Sequence, residues 1–119
     1  MILVVEDDPQ VARLVALVLQ RNGRECQVVA DGSSAFVRAN ELRPQMILAD
    51  LTIKGMNGAA LCSALKAQEE TRSIPYVVVS GDRDIAEKAR QCGADDYLVK
   101  PFEFPELIRL VEKYARAES

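Results

Sequence analysis

Residues 46–58 decide the fold, and they read Met-Ile-Leu-Ala-Asp-Leu-Thr-Ile-Lys-Gly-Met-Asn-Gly. An apolar run ends at Asp50, a short turn containing glycine and asparagine follows, and a new helical pattern begins at Asn57. This order predicts a buried strand that reaches its loop at Asp50. A carboxylate in that place must be solvated, paired or bound to a metal ion, because burying an unpaired charge is unfavourable. The stretch therefore indicates that Asp50 is a functional residue.

The same alternation of apolar strand and amphipathic helix recurs along the chain. Residues 2–5 form an apolar run of the kind found in strands covered on both faces. After Pro9, which suits a first helical turn, apolar residues including Leu14 recur at helical spacing from Val11 to Leu19. The other predicted elements are, in chain order, a strand over 26–30, a helix opened by Asp31, the strand over 46–50, a helix opened by Asn57, a strand over 74–80, a helix capped by Asp82 or Asp84 and closed by Gly93, a strand over 97–99 and a helix over 105–115.

Five strands that alternate with five helices predict one α/β domain over residues 1–119. Short connections between the elements require parallel strands with right-handed crossovers, so that helices cover both faces of the sheet. The flavodoxin-like, doubly wound strand order 2-1-3-4-5 is the common arrangement of five such strands. That order places a binding site at the carboxyl ends of strands 1 and 3.

Composition restricts the classes of function. The net charge of −3, with acidic and basic residues interspersed, argues against binding to nucleic acid or to a membrane surface. No apolar run is long enough to span a membrane, and the expected location is the cytoplasm. The chain has three widely spaced cysteines and no histidine, which argues against a zinc site and against a Ser–His or Cys–His nucleophile.

Polar residues stand at the carboxyl ends of four predicted strands, and these ends share one edge of a parallel sheet. They are Glu6, Asp7 and Asp8 after strand 1, Asp50 in strand 3, Ser80 in strand 4 and Lys100 after strand 5. Neighbouring carboxylates repel each other unless a cation joins them, and ligands that are all oxygen favour Mg²⁺ or Mn²⁺. A carboxylate can be a nucleophile that forms an aspartyl phosphate. The set therefore predicts a phosphoryl acceptor, with Lys100 and Ser80 bonding the phosphoryl oxygens.

Each of these residues also has an ordinary structural explanation. Asp8 beside Pro9 is explained equally well as negative charge at a helix N-terminus. Taken alone, Asp50 could be a turn residue, Lys100 a surface lysine and Ser80 a loop hydroxyl. The functional interpretation depends on all four signals falling at the correct strand ends.

The chain resembles the receiver domains of bacterial two-component response regulators over nearly its whole length. The segments that carry the resemblance are Leu-Val-Val-Glu-Asp-Asp at 3–8, Ile-Leu-Ala-Asp at 47–50, Gly-Met-Asn-Gly at 55–58, Val-Val-Val-Ser-Gly at 77–81 and Gly-Ala-Asp-Asp-Tyr-Leu-Val-Lys-Pro-Phe at 93–102. The resemblance implies that Asp50 is the phosphoacceptor. It also implies a Mg²⁺ cofactor held by Asp7 and Asp50 directly, by Glu6 mainly through water, and by the backbone carbonyl of Thr52.

The resemblance further implies a switch. Ser80 would bond and report the phosphoryl group, and Lys100 would pair with it, oriented by a cis peptide bond before Pro101. Tyr97 would move inward when Ser80 shifts toward the phosphoryl group, although a half-buried packing ring also explains this tyrosine. The switched surface would comprise helix 4, strand 5 and helix 5, which is a candidate dimer or target surface and otherwise a solvated face.

The implied partner is a sensor histidine kinase or a histidine phosphotransfer protein, from which the domain takes a phosphoryl group. The chain would not be an enzyme, apart from catalysing its own phosphorylation and dephosphorylation. Two other functions remain open. A pseudo-receiver would act as an interaction module without phosphorylation, and a metal phosphohydrolase would need a second acid where this chain has Thr52.

The sequence departs from the family pattern at two loop positions. Lys54 stands where the family often has proline, and Asn57 stands where it often has aspartate. Lys54 is expected to loosen the turn, whereas Asn57 can still cap helix 3. Thr52 and Asp82 are expected near the path of water to the phosphoryl group. Both a stand-alone regulator and a domain cut from a longer protein fit the sequence.

Overall fold

Five parallel strands form one sheet in the order β2-β1-β3-β4-β5 in the computed structural model, which describes residues 1–115. The strands are β1 Ile2–Val5, β2 Cys26–Val29, β3 Met46–Asp50, β4 Tyr76–Ser80 and β5 Asp96–Val99, and the helices are α1 Pro9–Arg21, α2 Gly32–Leu42, α3 Gly58–Lys66, α4 Ile85–Cys92 and α5 Phe104–Tyr114. The predicted fold class and strand order are confirmed. Residues 116–119 of the predicted domain lie outside the described part.

Side chains at the helix starts explain why the chain changes direction at the predicted places. The Asp8 carboxylate caps α1 by accepting from the backbone amide of Gln10 at 2.9 Å. Asp31 and Asn57 cap α2 and α3 in the same way. These caps satisfy amides that have no partner within the helix. Asp84 occupies the cap position of α4 without a side-chain cap bond.

Several boundaries differ by one or two residues from the pattern. β2 ends at Val29 and not at residue 30, β5 begins at Asp96 and not at Tyr97, and α5 ends at Tyr114 and not at residue 115. The fourth strand begins at Tyr76 and not at Ile74. The Ile74 amide donates to the Thr71 carbonyl at 3.1 Å within a turn, and Pro75 has no amide to give to a ladder. The last helix begins at Phe104, one residue before the predicted start.

The core lies in two layers, one on each face of the sheet, because successive strand residues point to opposite faces. Leu3, Ile47 and Val78 pack with α2, α3 and α4. Val4 and Leu48 pack with α1 and α5 on the other face. Burial on both faces explains why β1, β3 and β4 are apolar without alternation.

The outer side of α1 departs from the predicted helical face. Leu14, which the apolar spacing assigned to the buried face, is 47% exposed, and Leu17 is 43% exposed. Val15, Val18 and Leu19, which the same spacing predicted, are buried, and Ala12 is buried beside them. Within the described residues, no helix is both long enough and apolar enough to cross a membrane.

Candidate functional site

The predicted site residues meet at the carboxyl edge of the sheet. Asp50 and Ser80 are the last residues of β3 and β4, while Glu6 and Lys100 follow β1 and β5. The Lys100 ammonium forms ion pairs with Asp50 and, at 3.3 Å, with Glu6. The structure therefore joins residues from three strands that lie far apart in the sequence.

Asp50 is only 8% exposed, and both oxygens of its carboxylate have hydrogen-bond partners, as a buried charge requires. Oδ1 accepts a hydrogen bond from the Thr52 backbone amide at 3.0 Å. Oδ2 accepts from the Lys100 ammonium. One oxygen is thus fixed by the backbone, and the other faces a cation on a flexible side chain.

Lys100 is positioned by its own backbone. Its amide donates to the Ser80 carbonyl at 2.9 Å, and the Lys100–Pro101 peptide bond is cis, as the resemblance implies. Burial alone would lower the pKa of the ammonium, but the neighbouring Asp50 and Glu6 carboxylates raise it overall. Lys100 is therefore held in its charged form beside Asp50.

Glu6 is buried against the same ammonium. Oε1 accepts from the Asp8 amide at 3.1 Å, and Oε2 lies 3.3 Å from the Lys100 Nζ. Burial raises the pKa of Glu6, and the nearby Asp50 carboxylate raises it further. Two carboxylates share one ammonium, so the negative charge of the pair is only partly offset.

This charge balance fits a hard cation. Glu6 and Asp50 supply oxygen donors, and a divalent ion beside them would relieve the repulsion that raises the pKa of Glu6. Asp7 is half-buried and takes no part in the ion pairs of Lys100. Across residues 1–115, no group of three or more His, Cys, Asp and Glu side chains stands ready to hold a metal. The direct roles of Asp7 and of the Thr52 carbonyl stay predictions.

The two predicted switch residues differ in exposure in this structure. Ser80 is buried, and its hydroxyl oxygen accepts from the Asp82 amide at 3.0 Å. Tyr97 is 40% exposed on β5, where it is in register with Val78 of β4. The movement of Tyr97 stays a prediction.

The loop after Asp50 contacts the start of α2 through its backbone, and the expectation that Lys54 loosens the turn stays a prediction. The Lys54 carbonyl accepts from the Gly32 amide at 3.0 Å, so the loop is attached to the start of α2. A Cβ on Gly32 would lie 1.6 Å from the Met56 carbonyl oxygen, and one on Gly58 would lie 2.3 Å from the Asp50 carbonyl oxygen. The loop backbone can approach this closely only because both positions are glycine.

Two features of the site region were not predicted. Lys88 of α4 pairs with Asp82 at 2.8 Å and with Asp84 at 3.5 Å. The spacing of four between Asp84 and Lys88 was a readable signal for the second pair. The second feature is an apolar patch at the site's rim, which consists of Val11, Leu14, Pro101, Phe102 and Phe104 and lines a cavity of about 380 Å³ together with Lys100.

The sequence of this chain is similar to those of known proteins. Residues 2–112 match the family model described as the response regulator receiver domain. The DNA-binding response regulator MtrA of Mycolicibacterium smegmatis is 38% identical over 117 residues, which are 97% of this chain and 50% of that protein. The chain thus spans about half the length of the curated relatives it matches.

Solved structures agree with the sequence comparison. The receiver domain of the sensor histidine kinase PA1611 from Pseudomonas aeruginosa, which has a magnesium ion coordinated in its active-site cleft, is 30% identical with a TM-score of 0.89. That likeness covers 98% of this chain and 97% of the other. The receiver domain of NtrX from Brucella abortus is 31% identical with a TM-score of 0.86, and covers 99% of this chain and 100% of that one.

Proposed function

The chain belongs to the response regulator receiver domain family of two-component signalling, and we propose that Asp50 is its phosphoryl acceptor. The Asp50 carboxylate lies at the carboxyl edge of the sheet, where it pairs with the Lys100 ammonium, and this position supports the proposal. An ammonium there can stabilise the charge of a phosphoryl group that arrives on Asp50.

The two oxygens of Asp50 have different roles in the proposed transfer. Oδ1 is held by the Thr52 amide, whereas the partner of Oδ2 is the flexible Lys100 side chain. We assign Oδ2 as the nucleophile, because a phosphoryl group attached there stays next to the ammonium. The new bond joins Oδ2 to phosphorus, and the bond from phosphorus to the donor's imidazole nitrogen breaks, so the donor leaves as free histidine.

Asp7 and Asp50 are the side chains that would hold Mg²⁺ directly, with Glu6 acting mainly through water and the Thr52 carbonyl as a further ligand, as the family resemblance implies. When bound, the ion supplies positive charge beside the phosphoryl oxygens. Glu6 favours a cation at this position, because it is buried and its negative charge is only partly offset by Lys100. The domain then catalyses only its own phosphorylation and dephosphorylation.

The apolar patch is the surface we assign to the phosphodonor, a sensor histidine kinase or a histidine phosphotransfer protein. A donor histidine can reach Asp50 only if its protein covers the rim of the site. The patch lies at that rim, since its cavity is lined by Lys100 as well as by Leu14 and Phe104. Leu14 and Phe104 are 47% and 44% exposed, so a partner that covers them removes apolar surface from water.

Phosphorylation of Asp50 would change the surface formed by α4, β5 and α5. A phosphoryl group adds about −1.5 to −2 charges at neutral pH. We propose that Ser80 turns toward this charge and that the Tyr97 side chain then moves inward. This movement changes a surface that binds a second copy of the domain or a target protein. The pseudo-receiver alternative finds no support, because the acidic residues, the hydroxyl and the lysine are all present.

Incubation with Mg²⁺ and acetyl phosphate tests the assignment of Asp50. Intact-mass analysis should show one added phosphoryl group on the wild type and none on Asp50→Asn. The matched control is Asp8→Asn, because asparagine can still cap α1 and Asp8 is not part of the proposed acceptor. Equal labelling of the wild type and Asp50→Asn would contradict the proposal.

A further inference from the structure

Asp82 joins the proposed phosphoryl sensor to α4. Its backbone amide donates to the Ser80 hydroxyl oxygen at 3.0 Å. Its carboxylate lies 2.8 Å from the Lys88 ammonium. Lys88 lowers the pKa of Asp82, and the Ser80 hydroxyl adds a smaller effect in the same direction. One residue thus contacts Ser80 on one side and Lys88 on the other.

These contacts compete with phosphoryl binding. Ser80 is 4% exposed, and its hydroxyl oxygen accepts from the Asp82 amide in the present arrangement. The conflict is one of position, because a rotation of the Ser80 side chain that brings its hydroxyl to a phosphoryl oxygen on Asp50 would break the hydrogen bond from the Asp82 amide. The incoming negative charge would also repel the Asp82 carboxylate. A group that fixes Asp82 in place therefore opposes the phosphoryl-bound arrangement.

Lys88 is placed to fix Asp82. Its ammonium pairs with Asp82 and, at 3.5 Å, with Asp84, so it ties the β4–α4 loop to α4 at two points. Asp82 and Lys88 line a groove of about 480 Å³ that also reaches Thr52 beside Asp50. Both side chains are about 40–45% exposed, so water screens the pair and limits its effect to a small factor.

We propose that Lys88 is a positioning residue that holds Ser80 in the unphosphorylated arrangement through Asp82. This inference rests on the proposed function, because it concerns the hydroxyl that would bond the phosphoryl group. Lys88 touches neither Asp50 nor the transferred group. Because Lys88 opposes the phosphoryl-bound state only by holding Asp82, its removal favours that state. The chemistry of the acceptor stays intact, because Lys88 does not contact it.

Beryllofluoride, a stable mimic of the phosphoryl group, tests the proposal when titrated in the presence of Mg²⁺ and followed by the NMR signals of Ser80 and Asp82. Lys88→Met should bind it about two- to fivefold more tightly than the wild type, the range of an exposed ion pair. Lys88→Arg should match the wild type because arginine keeps the pair. Arg38→Met on α2 removes one exposed positive charge away from this loop, and it controls for net charge.

A double-mutant cycle separates the effect of Lys88 that acts through Asp82 from the effect of its charge on the binding of an anion. In an Asp82→Asn background, Lys88→Met should give no further gain in affinity, because the pair is already broken. Weaker or unchanged binding by Lys88→Met in the wild-type background, or an equal gain in both backgrounds, would overturn the role of Lys88. Failure of the wild type itself to bind beryllofluoride or to react with acetyl phosphate would instead overturn the proposed function.

Discussion

Lys100 and Asp50 form an ion pair across the carboxyl edge of the sheet, although they are 50 residues apart in the sequence. The same ammonium lies 3.3 Å from Glu6, so two acidic side chains depend on one cation. This arrangement links the stability of the domain to its proposed chemistry. Changes to either carboxylate or to the lysine should therefore alter both the free energy of unfolding and the response to Mg²⁺.

Lys100→Met should destabilise the domain, because it leaves the Glu6 and Asp50 carboxylates together without a cation. We expect a loss of about 1–3 kcal/mol in the free energy of unfolding, and partial recovery on addition of Mg²⁺. Urea denaturation with and without Mg²⁺ measures both effects. The control is Lys113→Met, whose ammonium is exposed, so that its removal should leave the free energy of unfolding nearly unchanged. Equal losses in the two variants would contradict the role given to Lys100.

Glu6→Gln should stabilise the metal-free domain at neutral pH. Burial raises the pKa of Glu6 above 4.5, so the folded state favours the neutral carboxyl, and ionisation opposes folding. This cost is absent below about pH 4.5, and it appears in full as the pH rises through the raised pKa. Thermal denaturation should show a midpoint about 2–5 °C higher for Glu6→Gln near pH 7 and no difference at the acidic end. A difference that grows as the pH falls would refute the assignment.

Gly58→Ala should disrupt the loop that follows Asp50. A Cβ at this position would lie 2.3 Å from the Asp50 carbonyl oxygen and 2.8 Å from the Leu51 Cα, and neither backbone atom can move aside alone. We expect a loss of about 1–3 kcal/mol or more in stability. Gly81→Ala is the matched control, since its Cβ would make ordinary contacts of 3.7 Å and longer. If chemical denaturation shows both variants to be equally stable, the close approach at Gly58 is not a constraint.

Leu14→Asp should slow phosphotransfer from a phosphorylated donor protein by about tenfold or more, the effect expected when a hot-spot contact is lost. Its reaction with acetyl phosphate should be unchanged, because the small donor needs no docking surface. The control is Val37→Asp on α2, which is 54% exposed and belongs to the other face of the sheet. Rates from radiolabelled donor and from acetyl phosphate distinguish docking from chemistry. Equal slowing by both donors would count against a docking role for the apolar patch.

Tyr97 should become buried when the phosphoryl mimic binds. The chain has three tyrosines and no tryptophan, so tyrosine fluorescence can be followed directly. Iodide quenching should fall after beryllofluoride is added to the wild type, because Tyr97 is 40% exposed before the change. The fall should persist in Tyr114→Phe and disappear in Tyr97→Phe. Unchanged quenching in the wild type would remove Tyr97 from the switch.

Local sequence patterns were enough to predict the strands and helices and the edge of the sheet where the site lies. Residues 2–5 and 46–50 were recognisable as buried strands because apolar residues continue without alternation. Asp31 and Asn57 marked helix starts because capping is a local interaction between a side chain and amides two or three residues away. The short connections then required parallel strands, which brought Asp50 and Lys100 to one edge.

The burial of individual side chains and the pairing of charges could not be predicted before the packing of the elements was known. The helical spacing in α1 did not show that Leu14 is exposed, because that depends on how far the core reaches around the helix. The pair between Lys88 and Asp82 joins a helix to a loop, and the sharing of Lys100 by Glu6 and Asp50 joins three strands. Burial and ion pairing of this kind depend on distances through space, which local sequence patterns do not contain.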